Sequence, residues 1–150
     1  MPHSYVHCLV HCVFSTKERR ATITPELRDR LWTFLGGAAR ANGLIALAVG
    51  GTEDHVHILL NVPATISLAT AVQRLKGGSS KWVHDAFPQH RRFAWQEGYG
   101  AFSIGVSGIA ATKRYVENQA KHHARRSFEE EWIAFLKKNG IAFDERYVFG

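Results

Sequence analysis

The stretch HVHILLNV, residues 55–62, alternates with a period of two. Val56, Ile58, Leu60 and Val62 fall on one side of a strand, and His55, His57, Leu59 and Asn61 on the other. YVHCLVHCVF, residues 5–14, has the same pattern, with Val6, Cys8, Val10, Cys12 and Phe14 opposite Tyr5, His7, Leu9, His11 and Val13. Each strand therefore has a dry face and a histidine-bearing face. Between them, Thr24-Pro25 is a good helix start, and Leu27, Leu31, Phe34, Leu35 and Ala38 follow at helical spacing until Asn42-Gly43. Residues 44–49 form an apolar run that reads as a strand leading into the Gly50–Asp54 turn.

Working outward toward the C-terminus, Ser67 caps a helix with the stripe Leu68, Ala71, Val72 and Leu75, and Gly77-Gly78 predicts a bend or break before residues 79–87. Residues 98–106 read as a fourth strand, with Phe102, Ile104 and Val106 opposite Tyr99, Ala101 and Ser103. A helix over about residues 109–125 follows. Ser127-x-x-Glu130 then forms a capping box for a last helix through Trp132, Phe135 and Leu136, stopped by Asn139-Gly140.

The order strand, helix, strand, strand, helix, strand predicts an α+β fold of the ferredoxin-like, RRM-like split βαβ type, with a central antiparallel sheet plus a tyrosine-bearing helix and a final helix. The first and third strands lie side by side at the sheet centre, and the first two helices cover one face. The other, open face would carry His7, His11, His55 and His57. No internal repeat or linker divides the chain, so residues 1–150 read as one domain.

Composition excludes several classes. With 45% hydrophobic and 11% aromatic residues, the chain can bury a core without staples. No run approaches about 18 consecutive apolar residues, and MPHSYVHCLV lacks a basic start and a small-residue cleavage site. A cytoplasmic protein without membrane contact is expected. Cys8 and Cys12 would sit roughly 13 Å apart along a strand, too far to bridge. Two free, buried thiols are the expectation. A net charge of +6 favours a polyanionic partner.

His55-Val56-His57 places two imidazoles on one strand face about 6.6 Å apart along the backbone, close enough to converge on one ion. Alone, such a pair is as compatible with two polar residues on a half-exposed strand. The helix segment ATKRYVENQAKHH adds Tyr115 and Gln119, four apart and so on one helical face, with His122 continuing the stripe.

EDHVHILL, RLKGGSSKW and KRYVENQ occur in that order, and together with HHARRSFEEEW and DERY the chain resembles the single-tyrosine HUH transposases of small bacterial insertion sequences, the IS200-like transposases, and their REP-associated relatives. The likeness spans about residues 3–149. In one departure, the first strand ends in FSTKERR, where many members carry a basic turn containing proline and tyrosine.

The resemblance implies a strand transferase for single-stranded DNA folded in hairpins, a homodimer, a covalent 5′-phosphotyrosine on Tyr115, and a divalent metal held by His55, His57 and Gln119. Two imidazoles soften the donor set, so manganese should serve as well as magnesium, the expected physiological ion. Lys17, Arg19, Arg20, Arg74, Lys76, Lys81, Lys113 and Arg114 are candidate phosphate contacts, as are Arg91 and Arg92, with Trp82, Trp95 and Tyr99 available to stack on bases. His7 and His11 are read as shaping the sheet face. The segment Gly105-Val106-Ser107-Gly108 could act as a hinge that docks the tyrosine helix on a partner's histidines. Two rival readings remain at this level: a metal-dependent phosphoesterase or single-strand nuclease using activated water, and a noncatalytic RRM-like nucleic-acid module. The second would want aromatic residues where these strands carry histidine.

Overall fold

A computed structural model of the chain describes residues 4–123 and 126–149, apart from the side chain of His122. Four antiparallel strands, β1 (Leu9–Ser15), β2 (Ile45–Gly51), β3 (His55–Asn61) and β4 (Gly100–Ser103), form one sheet in the order β2-β3-β1-β4. The two histidine strands are central neighbours, with Val13 opposite His57 and His11 opposite Leu59. This is the α+β split βαβ arrangement that the alternation predicts.

Helices α1 (Pro25–Ala41) and α2 (Leu68–Ala86) cover one face. There Leu27, Leu31, Leu35 and Leu75 pack on Val10, Cys12, Phe14, Val56, Ile58 and Leu60, the dry parity of both strands. Ser67 caps α2 by accepting from the Thr70 amide at 3.1 Å. The helix runs unbroken through Gly77-Gly78. Two glycines cost about 2 kcal/mol in helix propensity, and burial of Leu75, Ser79 and Val83 around them holds the turn together.

The second face is not open. Helices α3 (Ile109–Glu117), α4 (Gln119–His123) and α5 (Phe128–Lys138) lie over it. Val13 and Phe102 on that face pack against Phe128, Trp132 and Leu136 of α5, while Leu59 packs against Val116 of α3. The apolar members Leu9, Val13 and Leu59 of the histidine parity are the reason, since an exposed face would leave them in water.

Several boundaries differ from the sequence expectation, and β4 covers only Gly100–Ser103 of the residues 98–106 expected as strand, because the chain turns into a 3-10 segment at Val106–Gly108. β1 starts at Leu9, which leaves His7 and Cys8 exposed outside the strand, whereas Cys12 is buried and its thiol is pushed up to about 12 by burial. The helix expected over residues 109–125 is divided at Asn118, whose backbone leaves helical geometry (φ −107°, ψ 28°). After β1 the chain makes a 3-10 turn, Lys17–Arg19, with Glu18 and Arg19 at φ 57° and 55°. Left-handed geometry is disfavoured for such residues. Arg19 is held there by Glu129 at 3.2 Å and by the Phe149 carbonyl at 3.3 Å, which ties the turn to α5.

Lys76 donates to the carbonyls of Gln96, Glu97 and Gly98, closing the loop before β4, and burial lowers its pKa. Lys76→Met is expected to lower stability by about 2 kcal/mol, because three carbonyls lose a charged donor at a half-buried site. Urea denaturation checks this, and an unchanged midpoint would mean water replaces the ammonium at no cost.

Candidate active site

The histidine strands, the tyrosine helix and α5 meet above β3. His55 and His57 have no exposed surface, and the Tyr115 ring lies 5.6 Å from the ring of its own chain's His57. Gln119 is buried, donates through Nε2 to the Tyr115 carbonyl at 3.0 Å, and places Oε1 3.1 Å from His55 Nε2. The predicted set of His55, His57, Tyr115 and Gln119 is therefore brought together within one chain.

Position is set from below. α3 presses on β2 at Gly50, where a methyl group would collide with the Val116 carbonyl oxygen, so the helix backbone rests directly on the strand.

At the centre sits a residue the sequence reading passed over. Glu131 of α5 is buried, and its Oε1 lies 2.9 Å from His57 Nε2, 3.2 Å from His123 Nε2 and 3.6 Å from His55 Nε2. Its other oxygen, Oε2, accepts a short hydrogen bond from the Tyr115 hydroxyl. Burial disfavours the charged carboxylate, but the close approach of His123 and the hydrogen bond with His57 outweigh it and hold the carboxyl well below the usual range. Tyr115 is shifted the opposite way, first by burial and then by the adjacent carboxylate, so its phenol stays protonated at rest.

The tautomers follow from the neighbours. Burial lowers His57 to about 4 and His11 to about 3, leaving both rings neutral near pH 7. His11 Nε2 lies 2.7 Å from His57 Nδ1, so one N–H is shared between the two rings and fixes their orientation. His55 Nδ1 faces Asp54 Oδ1 at 2.8 Å and Thr52 Oγ1 at 2.9 Å. A carboxylate on Nδ1 makes that nitrogen the donor and leaves Nε2 of the neutral ring with a bare lone pair. That lone pair faces the oxygens of Gln119 and Glu131, an arrangement that calls for either a second proton or a cation. His123 Nε2 likewise is buried and makes no aligned hydrogen bond despite its closeness to Glu131. Donor atoms of His55, His57, His123 and Glu131 all lie within 4.8 Å of one another, a set that fits a divalent metal.

Past the break at Asn118, α4 delivers His123, whose ring lies 4.4 Å from that of His55. The side chain of His122 lies outside the described residues. His11 is buried behind His57, and His7 does not join the cluster. The signal for Glu131 was its placement on the apolar stripe of Phe128, Trp132 and Phe135, where a charge requires a buried partner.

The candidate phosphate contacts are scattered. Lys113 and Arg114 are exposed on α3, and Lys17 and Arg20 are exposed beside the turn after β1, where Arg20 pairs with Glu18 at 2.8 Å. Arg19 is held by α5. Arg74 reaches Asn42 at 3.3 Å, Lys81 pairs with Asp85 at 2.7 Å, and Lys76 holds the loop described above; all three belong to α2, across the sheet from Tyr115. Arg91 and Arg92 are exposed. Trp95 is buried between Phe14 and Phe93 and donates to Ser79 at 2.9 Å, so it is a core residue rather than a stacking platform. Trp82 stacks on Phe34, and Tyr99 packs against the core. Beside Tyr115, a cavity of about 400 Å³ opens between α3, β4 and α5, with Thr112, Arg126, Lys138 and Phe102 among its walls.

Known proteins share this architecture. Residues 4–119 match the family model described as IS200-like transposase. The chain is 28% identical over 121 residues to the ISDra2 transposase TnpA of Deinococcus radiodurans, covering 77% of this chain and 86% of that protein. It is 27% identical over 125 residues to the transposase for insertion sequence element IS200 of Salmonella typhimurium, covering 79% and 81%. A crystal structure of a Deinococcus radiodurans protein described as a transposase superposes with a TM-score of 0.63 at 28% identity, covering 79% of this chain and 96% of that one. A REP-associated tyrosine transposase bound to a REP hairpin shares the fold with a TM-score of 0.55 at 13% identity, covering 77% and 68%. With the family model spanning most of the chain and relatives aligned over more than three quarters of it, the chain belongs to the IS200-like family of DNA transposases.

Proposed function

We propose that this protein cleaves and rejoins single-stranded DNA at the ends of a mobile element through a covalent 5′-phosphotyrosine on Tyr115. The observation that carries the reading is the convergence of the Tyr115 hydroxyl with His55, His57 and Gln119 in one buried cluster. A phenol is a weak nucleophile at neutral pH and needs its proton removed as attack proceeds. Glu131 Oε2 already accepts that proton's hydrogen bond and orients the oxygen. The phenolic oxygen bonds to phosphorus, the bond to the 3′ oxygen breaks, and the departing 3′ oxygen takes up a proton. One phosphodiester has replaced another, so a 3′ hydroxyl from a different end can reverse the step without an energy source.

His55, His57 and Gln119 would hold the divalent ion, magnesium by abundance and manganese in its place. When bound, the ion polarises the scissile phosphate. The cavity beside Tyr115, with Arg126 and Lys138 at its wall, gives an unpaired nucleotide a route to the hydroxyl. Lys17, Arg20, Lys113 and Arg114 supply exposed charge on the DNA side. Hairpin DNA as substrate, a homodimer as the working unit and a cytoplasmic location complete the reading. Among the described residues no helix is long and apolar enough to cross a membrane.

The test is incubation with single-stranded hairpin DNA and manganese followed by a denaturing gel. Covalent attachment of DNA to protein supports strand transfer, and cleavage without attachment favours the hydrolytic reading. Binding should be salt-sensitive, with log affinity falling by about 0.7 per phosphate contact for each log unit of salt. Fluorescence anisotropy at several salt concentrations measures that slope, and equal affinity for duplex and hairpin would contradict a single-strand specialist.

A further inference from the structure

We infer that Glu131, on α5 and beyond the family-matched residues 4–119, is the anionic ligand of the divalent ion, completing a site that the resemblance assigns to His55, His57 and Gln119 alone. The inference rests on the metal-dependent reading above and deepens it.

Geometry supports a ligand role for this carboxylate. Two donors about 2.1 Å from one ion lie about 3.0 Å apart at a right angle and about 3.4 Å apart at a tetrahedral angle. Glu131 Oε1 lies 2.9, 3.2 and 3.6 Å from the Nε2 atoms of His57, His123 and His55. Hydrogen bonds span the same distances, and what favours a shared ion is the convergence of three imidazole nitrogens on one carboxylate oxygen. Protonation states agree. His11 and Asp54 engage the Nδ1 atoms of His57 and His55, which directs both Nε2 atoms at the carboxylate. An ion takes the place of the proton that His57 Nε2 now shares with Glu131.

Chemistry gives the carboxylate its weight. Imidazoles and an amide oxygen are neutral, and a neutral nitrogen-rich set holds magnesium poorly. One buried carboxylate cancels half the ion's charge and adds a hard oxygen. Because its second oxygen accepts from Tyr115, the same side chain links the ion to the nucleophile.

Calorimetric titration of manganese into wild type, Glu131→Gln, Glu131→Asp and His57→Ala, with cobalt absorption spectra in parallel, tests this. The expected result is at least about tenfold weaker manganese binding in Glu131→Gln, partial recovery in Glu131→Asp, and an altered cobalt spectrum in both. The aspartate variant keeps the test open if the glutamine variant does not fold. Unchanged affinity and spectrum in Glu131→Gln, alongside lost binding in His57→Ala, would overturn Glu131 as a ligand and leave the histidine site standing. Manganese that fails to bind wild type, or binds His57→Ala as tightly, would overturn the metal reading itself and this inference with it.

Discussion

Replacing Tyr115 by phenylalanine is expected to abolish the covalent protein–DNA adduct, a loss of at least about a thousandfold, because nothing else in the cluster can form a stable ester with the 5′ phosphate. Hairpin affinity should change by less than about threefold, since the ring stays packed against His11, His57 and Phe135 and only an oxygen is removed. Stability should fall by about 1–2 kcal/mol, as Glu131 loses one donor and keeps His57, with His123 close by. A denaturing gel with labelled single-stranded hairpin DNA and manganese reads the adduct, and anisotropy reads the binding. Full cleavage by the phenylalanine variant would remove tyrosine from the chemistry and leave hydrolysis by activated water.

The second large effect is expected from His57→Ala. Metal-dependent cleavage should drop by at least about a hundredfold, whereas Gln119→Ala should cost about tenfold, because water replaces a neutral oxygen donor more readily than a strand imidazole. The histidine variant should also be less stable by about 3 kcal/mol, since a buried carboxylate loses its nearest imidazole donor. Its pH profile carries a sign. Glu131 has a depressed carboxyl pKa in the folded chain, so its contribution is complete above its ordinary value of 4.5 and is lost as pH falls through the folded value. Without His57 the folded value rises, and acid unfolding should begin at higher pH. Circular dichroism from pH 7 to 2 on both proteins measures this, and superimposable acid limbs would mean His123 and Tyr115 alone hold the carboxylate.

Much of this was legible in the residues. Period-two alternation in β1 and β3 assigned both faces of the central strands, and the proline at position 25 with the caps at Ser67 and Ser127 set three helix starts. His55 with His57, and Tyr115 with Gln119, share faces as their spacing implied, while the expectation that the two pairs meet came from the resemblance and not from spacing. What stayed hidden depends on long-range packing. Nothing local says that α5 returns across the sheet to bring Glu131 over His57, 74 positions away. A capping box tells where a helix begins and not which face it presents. The helix break at Asn118 is similarly silent in periodicity, yet it sets the phase with which His123 reaches the cluster. Charge composition misled in part: Lys76 and Arg19 looked like free cations, while the fold uses them to hold backbone carbonyls.

The bare floor at Gly50 makes β2 the ruler of the tyrosine's reach. The atom nearest the face of Gly50 is the Val116 backbone carbonyl oxygen and not the end of a flexible side chain, so a methyl group there could be accommodated only by moving the helix or the strand. Proximity in such a site is worth orders of magnitude in rate, and a shift of about 1 Å can forfeit about a hundredfold. A side chain at position 50 is therefore expected to displace the tyrosine helix and to weaken the proposed strand transfer, although it carries no reactive atom and every histidine and the tyrosine remain in the sequence.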